Sequence, residues 1–262
     1  MAKKQKLQDQ VAIVTGASIG IGRATALALA REGAHVALAS RNIEALCQVA
    51  DEIERLGRQS LVVPTDVTQR PQVEEMVRAT LGRWGRVDIL VANAGVYVRS
   101  RVNPMMVGEV ERAMSVNFYG ALYCVLGVLP HMLTQRSGHV ILVNTMDAKK
   151  AIPPDAPYVA SKFALAGFGE VLRQELHDSG VRVTSIFPGR VDTPMIEHLK
   201  VPWISRKISA ESVAHEIVGS IYRYKREVVI PRGAWVLIYL NLLSPRLADK
   251  VVRVLHFEGW ET

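Results

Sequence analysis

Val11-Ala12-Ile13-Val14-Thr15-Gly16-Ala17-Ser18-Ile19-Gly20-Ile21-Gly22-Arg23 sets a short apolar run, a glycine-rich turn and the start of an alanine- and leucine-rich segment in immediate succession. The run Val11–Val14 has the length and β-branched content of a strand buried on both faces. From Arg23 to Glu32 the residue types favour helix, because alanine and leucine lose little freedom there. Glycines in the turn between them let main-chain N–H groups approach a phosphate, and the helix N-terminus behind carries partial positive charge. The spacing is T-G-x-x-x-G-x-G rather than G-x-G-x-x-G. A glycine triplet alone would also suit an ordinary tight turn; the flanking strand and helix favour a nucleotide site.

Outward from this unit, strand and helix patterns alternate. Strands are predicted at Val11–Val14, His35–Ala39, Leu61–Pro64, Val87–Ala92, Val140–Val143, Val181–Phe187 and Val228–Ile230. Helices are predicted at Gly22–Glu32, Ile43–Leu56, Val73–Trp84, Val107–Leu133, Pro157–Ser179 and Glu211–Tyr224. This order implies an α/β fold: a single doubly wound, Rossmann-type domain over residues 1–262, with a parallel sheet of about seven strands and helices on both faces. Residues 232–262 follow as an apolar, helical C-terminal extension. Ligands of such sheets bind at the carboxyl ends of the strands, and Gly16, Asn93, Thr145 and Pro188 all fall just past predicted strand ends.

On the helix predicted from Pro157, Tyr158 and Lys162 are four apart and share a face. A free tyrosine has a pKa of about 10, and a fixed cation beside it favours the phenolate. The pair therefore suits a proton donor and its tuner. Taken alone, Tyr-x-x-x-Lys also describes a half-buried aromatic beside a solvated lysine, so its meaning depends on the rest of the chain.

With these parts in place the chain resembles the short-chain dehydrogenases/reductases, from about Gln8 to Ile230. Thr15-Gly16 through Gly22 match that family's cofactor turn, with Ser18, Ile19, Gly20 and Ile21 inside it. Asp66-Val67 match the pair whose Asp meets the adenine ring. Asn93-Ala94-Gly95 match the motif that steadies the sheet beside the cofactor. Asn117 falls at the family's helix asparagine, Tyr158 and Lys162 at its catalytic pair. Pro188-Gly189 with Val191 and Thr193 match the segment at the nicotinamide end. One position departs: thirteen residues before the tyrosine, where the family has serine, stands Thr145. Its hydroxyl can still bond a carbonyl oxygen, although the methyl restricts the rotamer; a plain strand-end residue is the other reading. Asn144, Met146 and Asp147 beside it are also unusual.

The resemblance implies catalysis by Tyr158, Lys162, Thr145 and Asn117. Thr145 and Tyr158 would bond the carbonyl oxygen, Tyr158 would deliver the proton, Lys162 would lower the phenol's pKa and reach the ribose, and Asn117 would hold a relay water. Separately, Asn117 and Lys162 read as a helix polar residue and a surface lysine. Cofactor choice follows from the second strand, which ends Ala39-Ser40-Arg41 with no acid between Gly33 and Asn42. A ribose-binding carboxylate is missing and an arginine suited to a 2′-phosphate is present, so Ser40 and Arg41 point to NADP(H), with NAD(H) as second choice. A solvent-facing Arg41 at a helix start is the blander reading. The expected activity is interconversion of an apolar ketone or aldehyde with its alcohol. The alternatives are an NADP(H)-binding sensor or scaffold without turnover, and a redox-neutral epimerase or dehydratase.

Composition agrees with an enzyme of this kind: 262 residues, 49% hydrophobic and 22% charged, enough for one sizeable core. The net charge of +7 is spread along the chain without a nucleic-acid signature, so no nucleic-acid partner is expected. Cys47 and Cys124 are isolated, which suits a reducing, cytoplasmic setting and gives no metal site. The basic opening Met1-Ala2-Lys3-Lys4-Gln5-Lys6 reads as a solvated tail, and no run of eighteen apolar residues predicts a spanning helix. After Thr193 the loop through Met195, Ile196, Leu199, Val201, Trp203 and Ile204 reads either as a lid over an apolar substrate or as a segment packed on its own core. The stretch Trp235–Leu243 with the basic segment behind it could lie on a membrane as a peripheral contact, enclose a lipid-like substrate, or be buried between subunits, the last being slightly favoured. Small residues Ala160, Ala164, Gly167 and Gly169 allow close helix approach, and the resemblance implies a homodimer or homotetramer.

Overall fold

The structure, a computed structural model, describes residues 6–261; the tail expected at residues 1–5 lies outside the described residues. Lys6, the last residue of that basic opening, holds its ammonium 4.6 Å above the centre of the Tyr222 ring, and Leu7 behind it is buried in the core.

The strands are β1 (Val11–Thr15), β2 (His35–Ser40), β3 (Ser60–Pro64), β4 (Ile89–Ala92), β5 (Gly138–Val143), β6 (Val181–Pro188), β7 (Leu199–Lys200), β8 (Glu227–Ile230) and β9 (Trp260–Glu261). The helices are α1 (Gly20–Arg31), α2 (Ile43–Arg55), α3 (Arg70–Trp84), α4 (Val107–Met114), α5 (Gly120–Gln135), α6 (Ala156–Glu175), α7 (Ala210–Arg223), α8 (Trp235–Leu243) and α9 (Pro245–Val254). Seven strands form one parallel sheet in the order β3-β2-β1-β4-β5-β6-β8. The chain thus runs outward from β1 in one direction, returns, and runs outward from β4 in the other. The crevice where the order reverses is the place where doubly wound sheets bind ligands.

The alternation of side chains along each strand explains the two layers of helix. Ala12 and Val14 of β1, with Val36, Leu38, Val91 and Ile141, face the apolar cluster built with α1, α2 and α7. Ile13, with Ala37, Leu90, Val140 and Leu142, faces the opposite cluster built with α3, α5 and α6. Both faces of the sheet are therefore dry, which is why its strands read as apolar runs.

The single helix expected over Val107–Leu133 is interrupted. A π-helical turn, Ser115–Tyr119, joins α4 to α5, and it carries Asn117. By length and composition the joined stretch Val107–Gln135 is sufficient to cross a membrane. Here it flanks the sheet, with Ala121, Cys124, Val125, Val128 and Met132 packed into the core.

Beyond the sheet, the extension forms α8, α9 and β9. Ile238 and Trp235 of α8 pack with Met146, Phe187 and Val229. β9 pairs antiparallel with β7, Leu199 opposite Glu261 and Lys200 opposite Trp260. The end of the chain is thereby fastened to the loop that follows β6.

Candidate active site

The turn after β1 is shaped by two glycines in left-handed conformation, Gly16 (φ +64°) and Gly20 (φ +56°). A Cβ on Gly16 would stand 2.9 Å from Asn93 Nδ2, and one on Gly22 would stand 2.1 Å from the Gly16 carbonyl oxygen. Thr15 Oγ1 accepts from the N–H groups of Asn93 (3.0 Å) and Ala94 (3.1 Å), while Asn93 Nδ2 donates to the Thr15 carbonyl at 2.9 Å. The ends of β1 and β4 are stitched together, and Gly22 lets α1 pass close behind. Gly16, Ser18, Ile19, Gly20 and Ile21 line the large cavity at this crevice; Gly22 does not, and acts through packing. At the N-cap of α1 Ile19 offers no side-chain acceptor, and the first turn contains no acid. Helix N–H groups and the dipole thus face the cavity without a competing carboxylate.

The cavity measures about 1200 Å³. Such a volume exceeds the usual range of about 300–1,000 Å³ for one small-molecule site, so it has room for two ligands end to end. At one end lie Ser40, Arg41 and Asn42 after β2, with Asp66 and Val67 after β3. Asp66 Oδ1 accepts from the N–H (3.0 Å) and hydroxyl (2.8 Å) of Thr68, which fixes the turn. Asn93, Ala94 and Gly95 line the middle, and Pro188, Gly189, Val191 and Thr193 close the side beyond β6.

Thr145, Tyr158 and Lys162 meet in the same cavity. Thr145 caps the short turn after β5, and Tyr158 and Lys162 sit on the first turns of α6, an ideal frame because helical residues four apart share a face. Lys162 is buried and its Nζ donates to the Val143 carbonyl at 2.9 Å. Burial lowers its pKa to about 8. The Tyr158 phenol is held well above the ordinary tyrosine value, first by burial and then by the Asp147 carboxylate, while a hydrogen bond with Thr145 works the other way. This departs from the expectation that Lys162 tunes the phenol downward: the ammonium stands 6.0 Å from the ring centre and is bonded to Val143, while burial and the Asp147 carboxylate set the direction.

Asn117 lies behind this group. Its Oδ1 accepts from Val96 N–H at 2.8 Å, and its Nδ2 donates to the Val96 carbonyl (3.0 Å) and to Ser161 Oγ (2.9 Å). The side chain thus ties the loop after β4 to α6. A Cβ on Gly95 would be 3.1 Å from Asn117 Oδ1 and 3.8 Å from Lys162 Nζ, so the glycine keeps this corner open.

Several residues of the site were not singled out from sequence. Tyr97 meets Tyr158 edge to face, ring centres 5.2 Å apart at 81°, and its hydroxyl donates to Asp155 Oδ2 at 2.8 Å. Arg99 Nη1 reaches the Tyr97 hydroxyl (3.2 Å) and the Glu258 carbonyl (3.1 Å), and its Nη2 reaches the Gly259 carbonyl (3.2 Å). Arg190 bonds Ser205 Oγ at 2.9 Å and the Phe257 carbonyl. Two arginines thus clasp the end of the chain over the site. A weak signal existed, since Arg190 directly follows Pro188-Gly189 and Asp155 precedes Tyr158 by three. Asp147 stands within reach of Thr145, and burial together with the Asp155 carboxylate raises its pKa to about 7.

The remaining walls are mostly apolar, with Ser205 and Arg206 among them. Ile196, Leu199, Trp203 and Ile204 come from the loop after β6, and Leu237, Leu240, Val251, Leu255 and Phe257 from the extension. The loop after Thr193 therefore does line the cavity, and the extension roofs it.

Comparison with known proteins accords with this geometry. Residues 10–201 match the pattern of the short chain dehydrogenases. An uncharacterized oxidoreductase of Staphylococcus epidermidis is 35% identical over 216 residues, covering 82% of this chain and 92% of that protein. A short-chain type dehydrogenase/reductase from Mycobacterium marinum superposes with a TM-score of 0.81 at 30% identity, covering 88% of this chain and 97% of that one. An alcohol dehydrogenase of the archaeon Thermococcus sibiricus, complexed with 5-hydroxy-NADP, superposes with a TM-score of 0.77 at 28% identity, covering 85% of this chain and 96% of that one. The chain belongs to the short-chain dehydrogenases/reductases, and it is an oxidoreductase acting on the CH–OH/carbonyl couple.

Proposed function

We propose that the protein is an NADP(H)-dependent oxidoreductase that interconverts an apolar ketone or aldehyde and the corresponding alcohol. The observation that carries this reading is the single cavity that runs from Arg41, past Tyr158 and Thr145, to a wall of aliphatic side chains.

The residues suit the cofactor. Gly16 and Gly20, in conformations that a Cβ would strain, open the turn to a diphosphate, and the uncapped start of α1 supplies N–H groups. Arg41 is exposed beside Ser40, with no acid at the strand end to repel a 2′-phosphate. The analogue bound by the Thermococcus sibiricus relative is a form of the same dinucleotide. When bound, the nicotinamide would supply or accept the hydride.

The chain's own residues would do the rest. Thr145 Oγ1 and the Tyr158 hydroxyl would hold the carbonyl oxygen, and Tyr158 would give it a proton in reduction and take one back in oxidation. Lys162, fixed by Val143, would hold the ribose. Its charge is present below about pH 8 and lost above it. Asn117 would set the angle between the loop after β4 and α6, and so the spacing of this group. The apolar walls would exclude water and select a hydrophobic substrate.

The same reading includes a homo-oligomer formed through α5, the π-helical turn before it and α6, where Tyr119, Leu126, Leu133, Phe163 and Val171 are exposed, and a cytoplasmic setting. The test is NADPH absorbance followed with a panel of apolar ketones, aldehydes and alcohols. Consumption or formation of NADPH with members of that panel is the expected result. Tight NADPH binding without redox turnover on any of them would overturn the reading in favour of a sensor or a redox-neutral enzyme.

A further inference from the structure

At the far end of the cavity the apolar lining continues onto the outer surface. Trp203 and Val236 line the cavity and yet are 86% and 72% exposed, so they form its lips. Next to them α8 has one strongly polar side chain, Asn241, among nine residues. Ile238 packs on the core, Leu237 and Leu240 line the cavity, and Tyr239, Leu242 (72% exposed) and Leu243 (86% exposed) face outward. A nine-residue helix in water would ordinarily turn a polar face outward. On α9 the pattern is mixed: Ala248 and Val252 are buried, while Leu247 and Val254 are exposed alongside Arg246, Lys250 and Arg253.

Charge narrows the choice of occupant. The stretch that holds α8 and α9, residues 232–256, carries Arg232, Arg246, Lys250 and Arg253 against one acid, Asp249; the extension's other acids, Glu258 and Glu261, come after α9, in the turn and strand β9. That acid is engaged by the buried Lys150 ammonium at 2.5 Å, so the apolar face of α8 is flanked by a basic rim of Arg232 and α9. A second copy of the chain brings the same charges, and a twofold contact through this face would set like against like. An anionic lipid surface offers both an apolar medium for Tyr239, Leu242 and Leu243 and the opposite charge for the basic rim. Length decides how the helix would sit. Arg232–Leu243 is the apolar helical stretch, and at about 1.5 Å per residue it spans roughly 18 Å, short of the ~30 Å hydrocarbon core, so it would lie in the interface.

We propose that the outer face of α8 and α9, with the lips Trp203 and Val236, docks on an anionic membrane surface and opens the substrate cavity toward the bilayer. The substrate is then a carbonyl or alcohol on a long apolar chain that enters from the lipid. That choice of substrate rests on the reaction proposed above; the docking itself does not.

The test is flotation of the purified full chain with lipid vesicles, read without any activity. With phosphatidylcholine vesicles containing about 30 mol% phosphatidylglycerol the protein should float, and it should remain at the bottom with phosphatidylcholine alone or in about 0.5 M salt. Two double variants, Leu242→Ser with Leu243→Ser and Lys250→Glu with Arg253→Glu, should each bind the anionic vesicles at least about tenfold more weakly and keep wild-type NADPH affinity. Wild-type protein that stays at the bottom with the anionic vesicles overturns the proposal, as do variants that float like wild type. If the leucine variant instead dissociates an oligomer and the wild type ignores vesicles, the face belongs to a second copy. Binding to vesicles without turnover of any carbonyl panel would leave the docking standing and remove the proposed reaction.

Discussion

Thr145 Oγ1 stands 3.5 Å from Asp147 Oδ2, and the Asp147 N–H donates back to the same hydroxyl at 3.3 Å. The hydroxyl assigned to the substrate oxygen is therefore shared with an acid in the same cavity. An ionised Asp147 only accepts, so it draws the Thr145 proton away from a substrate; a protonated Asp147 releases it.

This relationship should make activity depend on pH. The Asp147 carboxyl titrates at about 7 in the folded chain, against 3.8 for a free aspartate, because burial and Asp155 outweigh the opposing Arg190 and Thr145. Carbonyl reduction should fall as pH rises through 7, ahead of the loss of the Lys162 charge near 8. Asp147→Asn should remove the first step and leave the second, which a kcat profile from pH 6 to 9 would read in about half-unit steps. An unchanged profile would contradict the role. Stability follows the same sign: between about pH 4 and 7 the folded chain holds a proton that the unfolded chain has released, so stability present at low pH is lost over that window as pH rises. The variant should flatten that slope in thermal melts.

Arg41→Ala should raise the dissociation constant for NADPH by about tenfold and change that for NADH by less than about twofold. A charge-assisted bond to phosphate contributes roughly 1.5–3 kcal/mol, and the exposure of Arg41 places it at the lower end. Fluorescence titration with the two nucleotides checks this, and equal losses for both would sink the cofactor assignment.

At Gly22 an added methyl would stand 2.1 Å from the Gly16 carbonyl oxygen, a main-chain atom that can yield only by distorting the turn. Gly22→Ala should cost about 1–3 kcal/mol of stability and weaken NADPH binding. Gly219, in α7, is the control: a Cβ there meets nothing within 4 Å. Gly219→Ala should stabilise the chain by roughly 0.4–1 kcal/mol without touching cofactor affinity. Denaturant melts and nucleotide titration separate the two.

These residues also mark what could be read from sequence. The dry sheet was legible because both of its faces are buried, and continuous apolar runs such as Val11–Val14 and Val140–Val143 announce that directly. The grouping of Tyr158, Lys162 and Thr145 was implied by the family resemblance, and the predicted strand end and helix period agreed with it. The break at Ser115–Tyr119 was not legible, since an extra residue in a helical turn leaves the pattern apolar. Nor was the Tyr97–Asp155–Arg99 cluster, whose members come from two loops and whose partner carbonyls lie at Glu258 and Gly259, 159 and 160 residues away from Arg99. The roof over the cavity depends on that long-range clasp, so local periodicity had no access to it. The direction of the Tyr158 shift was missed for a similar reason: spacing shows a nearby cation but carries no measure of burial.

Arg99→Ala tests the clasp. Loss of the bonds to Glu258 and Gly259 should loosen the segment from α9 to β9 and raise KM for large apolar substrates several-fold. Hydrogen exchange in residues 245–261 should quicken while NADPH affinity stays within about twofold. Slow exchange in this segment of the variant would show that β7–β9 pairing holds the roof without the arginine.

The role proposed for Tyr158, moving the proton in the carbonyl–alcohol reaction, is tested most directly by measuring kcat and NADPH affinity together for Tyr158→Phe, which keeps the ring against Tyr97 and removes only the hydroxyl. The expected result is a fall in kcat of about 10²–10⁴-fold with NADPH affinity within about twofold of wild type. A variant that retains more than about a tenth of the wild-type rate would contradict it.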